Sequence, residues 1–261
     1  MPGSRNHEKR LVRSQPSMYQ QISSPCQSRG MSVGYFITGT DTNVGKTLVS
    51  CALIHAFAAC GKAVVGMKPV AAGRDDDGAW MDVEMLTAAS NISAPRSLVN
   101  PYALTRPAAP HIAAREMGIE IDTAVILEAC RGLQDIAEIV IVEGIGGFRV
   151  PLNSRYDTGD MARSMGFPVI LVVGMRLGCL NHALLTAEAV QSVGLPFAGW
   201  VANQIDPQML DFDENVRALQ QKLPCPLLGV LPFAPGVMAQ ELTSLLDINS
   251  LQQAKIGTLQ H

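Results

Sequence analysis

Gly39-Thr40-Asp41-Thr42-Asn43-Val44-Gly45-Lys46-Thr47 is the stretch around which the rest of this chain falls into place. An apolar run, Val33 to Ile37, leads into it, and an apolar helical pattern, Leu48 to Ala59, leads out. Strand, glycine-bounded loop and a helix opening on Lys-Thr form the context in which a phosphate loop is expected. Successive backbone N–H groups, here Asn43, Val44, Gly45, Lys46, Thr47 and Leu48, curl around phosphate oxygens at the positive end of the helix. Lys46 adds a point charge near the outer phosphates, and the Thr47 hydroxyl is the expected magnesium ligand. Five residues, Thr40 to Val44, separate the first glycine from Gly45-Lys46-Thr47; the common pattern has about four. A plain strand–turn–helix is the alternative, but Gly-Lys-Thr behind a buried strand disfavours it.

From residue 31 onward, short apolar strands alternate with helical patterns. The strands are expected at residues 33–38, 63–68, 139–142, 169–173, 200–202 and 227–231, and the helices at 47–60, 122–137, 181–193 and 214–223. The β-branched run at 139–142 suits a strand covered on both faces. The pattern predicts an α/β fold: a doubly wound, mainly parallel sheet of about seven strands carrying a phosphate loop. Residues 31–261 read as a single domain. Residues 71–118, with Asp75-Asp76-Asp77-Gly78 and Pro95, Pro101, Pro107 and Pro110, are the least regular part, expected as loops and short helices above the sheet.

The chain has 261 residues, 48% hydrophobic and 16% charged, with net charge -3. One large core is within reach of that length. The slight acidity speaks against nucleic-acid binding, and no apolar run is long enough to span a bilayer. Six cysteines without a Cys-x-x-Cys pair read as reduced, mostly buried thiols of a cytoplasmic protein, not as a zinc site. Residues 1–30 are basic and rich in Ser and Gln. They resemble a transit peptide in composition, but Glu8 and Pro2, Pro16 and Pro25 oppose an amphipathic helix, so a disordered extension is expected.

In an open parallel sheet, ligands bind beyond the carboxyl ends of the strands. Those ends carry the phosphate loop, Lys68-Pro69, Glu143-Gly144-Ile145-Gly146-Gly147, Gly174 with Arg176 beyond, Asn203-Gln204, and Pro232-Phe233. Glu143 offers a hard oxygen ligand for magnesium beside the phosphates. Lys68 either neutralises charge on a transferred phosphoryl group or is simply solvated. Asp82 opens a helical pattern and reads first as an N-cap, with a second metal ligand as the alternative. Asn203 reads as a turn-forming residue unless its amide faces a purine edge. His111 and His182 have no spaced partner and read as structural.

The chain resembles the dethiobiotin synthetases, on residues 35–47, Lys68-Pro69-Val70-Ala71, Pro110-His111, Val142-Glu143-Gly144-Ile145-Gly146-Gly147, Pro168 to Val173, Leu177-Gly178-Cys179-Leu180-Asn181-His182, Gly199-Trp200-Val201-Ala202-Asn203 and Pro226-Leu227-Leu228-Gly229. The loop with its additional residue is that family's own form. The resemblance implies a cytoplasmic homodimeric ligase of biotin biosynthesis, which closes a cyclic urea from 7,8-diaminononanoate, CO2 and MgATP through a carbamate and a carbamic–phosphoric anhydride. It implies that Lys46 and Lys68 stabilise the transferring phosphoryl group and that Thr47, Asp82 and Glu143 organise Mg2+. Residues 43–48 and Glu143, Gly144, Ile145 and Gly146 would border ATP, and Asn203, Gln204, Pro232, Phe233 and Ala234 would hold its base and ribose. Thr42, Lys68, Ala72 and Gly147 would border the diamine, with Leu177 and Asn181 of a second subunit at its carboxylate tail. Three positions depart from the pattern: Ala72 replaces a hydroxyl residue, Asn43 an acidic loop residue and Gln204 an acidic neighbour of Asn203. Two rival readings share the fold. A deviant phosphate-loop ATPase switch of the partition or metal-delivery type usually has a second lysine early in the loop, where this chain has Thr40 and Asp41. A glutamine-dependent amide synthetase needs a glutaminase domain, for which too little chain follows the last strand.

Overall fold

The computed structural model describes residues 32–251; the extension expected at residues 1–30 lies outside them. In chain order the elements are β1 (Val33–Gly39), α1 (Lys46–Ala59), β2 (Val64–Met67), β3 (Val70–Ala72), α2 (Met81–Ala89), α3 (Arg96–Val99), β4 (Tyr102–Leu104), α4 (Pro110–Glu116), α5 (Thr123–Gln134) and β5 (Ile139–Glu143). Then come α6 (Thr158–Met165), β6 (Val169–Met175), α7 (Cys179–Ser192), β7 (Phe197–Gln204), α8 (Phe212–Lys222), β8 (Leu227–Leu231) and a 3₁₀ helix, Ala239–Leu245. Six strands form one sheet in the order β2-β5-β1-β6-β7-β8, and β3 pairs with β4 in a second sheet of two. All these pairings are parallel. The six expected strands are therefore the six of the main sheet, and the small sheet accounts for the rest.

Alternation along each strand sends side chains to opposite layers. Tyr35 and Ile37 of β1 pack with Val49, Leu53 and Phe57 of α1. Phe36 between them packs with Ile126, Cys130 and Leu133 of α5 on the other face. Leu171, Val173 and Trp200 meet Ala183 and Ala187 of α7 and Leu219 of α8. The two central strands, β1 and β6, are buried along nearly their whole length, with Val33 alone half-exposed. That explains their continuous apolar runs.

β1 lies between β5 and β6, and its successor in the chain, β2, lies beyond β5. The strand order reverses at β1, where a crevice opens at the carboxyl edge. The irregular stretch 71–118 supplies β3, α2, α3, β4 and α4. Of the cysteines among the described residues, Cys51, Cys130 and Cys179 are buried, Cys225 half-buried and Cys60 exposed, all as free thiols. No helix among the described residues is long and apolar enough to cross a membrane.

Candidate active site

The crevice is a cleft of about 680 Å³. Its floor is the phosphate loop with Thr42, Asn43, Gly45, Lys46 and Thr47; Lys68, Asp82, Glu143, Ile145 and Gly146 complete one wall. Lys46 and Thr47 open α1, so the unpaired N–H groups of that helix end face the cleft.

Behind the loop lies a compact charged cluster. Glu143 ends β5 and is 1% exposed. Lys68 follows β2 and is 2% exposed. Its Nζ lies 2.6 Å from Glu143 Oε1 and 2.8 Å from Asp82 Oδ2, and it donates to the Gly144 carbonyl at 3.1 Å. Thr47 Oγ1 lies 2.9 Å from Glu143 Oε1 and 3.2 Å from Asp82 Oδ1. Glu143 Oε2 is buried with no hydrogen-bond partner among the described residues.

Burial pushes the Lys68 ammonium down, but Glu143 and Asp82 together outweigh it and hold its pKa above the ordinary lysine value. Asp82 is the mirror case: burial pushes its carboxyl up, while Lys68, Thr47 and Lys46 bring it below the usual value. For Lys46 the balance falls the other way, although Glu143, Asp82 and Asp41 favour its charged form. Burial and the neighbouring Lys68 lower its pKa to about 8, and its Nζ donates to the Asp41 carbonyl at 2.8 Å.

Asp82 does not cap its helix. Trp80 holds the N-cap position of α2, and Asp82 is the second helical residue, its carboxylate turned to Lys68 and Thr47. The local pattern Asp-Val-x-Met-Leu is compatible with either role, and only the approach of β2 decides. Asn203 likewise forms no turn. It lies within β7, 5% exposed, and its Nδ2 donates to the Val44 carbonyl at 2.9 Å.

The remaining expected residues lie as follows. Val44 is buried under the loop, and Leu48 continues α1. Gly144 N–H donates to the Ile37 carbonyl, beside β1. Gly147 accepts weakly from Thr158 Oγ1 at 3.4 Å. Gln204 ends β7, and its Oε1 accepts from the Phe233 N–H at 3.4 Å, so Pro232, Phe233 and Ala234 lie next to it after β8. Ala72 lines the cleft. Leu177, 94% exposed, and Asn181 on α7 do not line the cleft of the single chain. His111 Nδ1 sits 3.3 Å from the Pro151 carbonyl, outside the cleft.

Two supports escaped the sequence reading. Asn100, 5% exposed, donates through Nδ2 to the Lys68 carbonyl at 2.7 Å and fixes the backbone of that lysine. Arg74 and Trp80 form the outer rim of the cleft. The Arg74 guanidinium lies 5.5 Å from the centre of the Trp80 ring, and Trp80 Nε1 donates to the Leu104 carbonyl at 2.9 Å. Asn100-Pro101 was a visible turn signal; Arg74 and Trp80 had none.

A parallel sheet reversing at a phosphate loop, with a buried lysine between two carboxylates, defines a nucleoside-triphosphate-dependent phosphate-loop protein. The AAA domain family model matches residues 33–241, and the chain belongs to that family. The septum site-determining protein MinD of Pyrococcus horikoshii, solved with Mg-ADP, superposes with a TM-score of 0.59 at 14% identity, covering 88% of this chain and 99% of that one. A chain of the MinC:MinD cell division protein complex of Aquifex aeolicus gives 0.56 at 14%, covering 86% and 96%. These likenesses concern the fold. Sequence similarity is narrower: the ATP-dependent dethiobiotin synthetase BioD of Nitrosospira multiformis is 63% identical over 228 residues, 87% of this chain and 98% of that protein. The BioD of Aromatoleum aromaticum is 54% identical over 217 residues, 82% and 96% of the two chains. This chain belongs to the ATP-dependent dethiobiotin synthetases.

Proposed function

We propose that this chain converts 7,8-diaminononanoate, CO2 and ATP to dethiobiotin, ADP and phosphate, as a single ATP-binding synthetase unit acting in the cytoplasm. The observation that carries the reading is Lys68: a buried ammonium held between Asp82 and Glu143, in one cleft with the phosphate loop. Phosphoryl transfer asks a protein chiefly for positioning and charge neutralisation, and this cleft supplies both.

Loop N–H groups from Asn43 to Leu48 hold the phosphates. Asn203, Gln204 and Pro232 to Ala234 border base and ribose. Thr42, Lys68, Ala72 and Gly147 border the diamine. One amine nitrogen bonds to the carbon of CO2, giving a carbamate with release of a proton. A carbamate oxygen then attacks the γ-phosphorus, and ADP leaves. The second amine attacks the carbamoyl carbon, the ring closes, phosphate leaves with that oxygen, and the proton lost from the amine passes to the departing phosphate. Lys46 and Lys68 face the negative charge that spreads over the transferring group.

The donor set suits Mg2+. Asp82 and Glu143 each place a hard oxygen within hydrogen-bond distance of Thr47 Oγ1, and Glu143 Oε2 is a buried acceptor with no protein partner among the described residues. When bound, the ion neutralises phosphate charge and polarises the phosphoryl oxygens.

The working form is a homodimer in which Leu177 and Asn181 of a second copy meet the diamine's carboxylate tail. The exposed Leu177 side chain, followed by α7, supports this. Mass spectrometry with 13C-bicarbonate tests the function: dethiobiotin labelled at the ring carbonyl is expected only when diamine, bicarbonate and MgATP are all present. ATP turnover indifferent to the diamine would overturn it.

A further inference from the structure

Asn203 grips the phosphate loop from beneath. The contact joins residues 159 positions apart in the chain, from the buried Asn203 amide to the Val44 carbonyl at 2.9 Å. The partner atom is a carbonyl, so the donor must be the amide nitrogen of Asn203. Val44 itself is clamped. It is 1% exposed. Its methyl groups lie 2.6 Å and 2.7 Å from where a Cβ would stand on Gly39 and Gly174, the ends of the two strands beneath.

The Val44 carbonyl and the Gly45 N–H belong to one planar trans peptide and point in opposite directions. Holding the carbonyl from behind therefore aims the Gly45 N–H towards the cleft, where a phosphate oxygen would meet it. Gly45 lines the cleft at φ 88°. A Cβ there would stand 2.1 Å from Asn203 Nδ2, so the close approach of the amide requires glycine.

We infer that Asn203 is a positioning residue of the phosphate loop: its amide orients the Val44–Gly45 peptide for phosphate binding, in addition to bordering the base. The inference rests on the phosphate-loop reading above. It makes the base site and the phosphate site share one side chain. A nucleotide that satisfies the rest of the Asn203 amide then meets an already oriented loop.

Inorganic tripolyphosphate with magnesium separates the two roles, because it has no base. Isothermal titration compares the wild-type chain with Asn203→Ala and with Asn203→Leu, which keeps the branched shape, adds no charge and loses the donor. Tripolyphosphate affinity is expected to fall roughly tenfold in both, at temperatures well below each variant's melting point. Unchanged tripolyphosphate affinity with weakened ATP binding would overturn the inference and leave Asn203 a base contact alone. Failure of the wild-type chain to bind tripolyphosphate is a different result, and would count against the phosphate-loop reading itself. A second measurement needs no variant. In the nucleotide-free wild-type chain, the Asn203 side-chain amide protons are expected to exchange slowly with solvent; exchange as fast as that of an exposed asparagine would overturn the inference.

Discussion

Asn43 has φ 59°, one of two non-glycine residues with positive φ among those described. Asparagine tolerates this left-handed conformation better than any other residue with a side chain except aspartate, and far better than a β-branched one. The departure from an acidic residue at this position thus fits the loop's own geometry. Asn43→Val is expected to lower stability by about 1 kcal/mol, against little change for Asn43→Gly, as read from thermal melting. Lys46 makes a second prediction. Its folded pKa, lowered to about 8, lies below the ordinary 10.5. Between those values the unfolded chain binds more protons, so stability of the ligand-free chain rises with pH there. ATP affinity runs the other way. Phosphate favours the charged amine, and titration calorimetry should show affinity level below about pH 8 and falling above it. That the loop would line the cleft was legible in Gly45-Lys46-Thr47. The roles of Asp82 and Asn203 were not, because each is set by a partner far along the chain: Lys68 for one, Val44 for the other.

Helix α1 is apolar nearly all round. Val49, Cys51, Ala52, Leu53, Ile54, Ala56 and Phe57 are buried, which needs cover on both sides. The sheet covers one side. The other cover is the tail after β8, with Leu86 and Ala89 of α2 beside it. Leu242, Leu246 and Leu251 join the α1 core, and Tyr35 Oη donates to the Leu251 carbonyl at 3.0 Å. Gly229 marks the closeness of the fit: a Cβ there would stand 2.2 Å from the Leu245 carbonyl oxygen. Leu246→Ala should cost about 2–4 kcal/mol, measured by denaturant unfolding; a loss under about 0.5 kcal/mol would mean the tail is not part of the core. The 3₁₀ helix, Ala239–Leu245, has neither the 3.6-residue nor the two-residue period that reveals longer elements, so only the uncovered side of α1 hinted at it. The three-residue strands β3 and β4 were hidden for the same reason of length.

Across the whole molecule, the six main strands could be read from their apolar runs, but their order could not. Order depends on which strand docks beside which, and no local pattern encodes that. The site was nevertheless largely legible, because every strand of a parallel sheet ends on the same edge whatever the order. Listing strand ends therefore brought Lys68, Glu143 and Asn203 to the phosphate loop before any coordinates did. The outer rim, Arg74 and Trp80, comes from the irregular insertion and has no strand end to announce it. The central claim is that this edge transfers a phosphoryl group to a carbamate rather than to water. The fate of oxygen in 18O-labelled bicarbonate tests it most directly. Ring closure through a carbamic–phosphoric anhydride predicts that the phosphate released carries one labelled oxygen. Phosphate released without label, at the same rate with or without the diamine, would show that ATP is simply hydrolysed and would contradict the account.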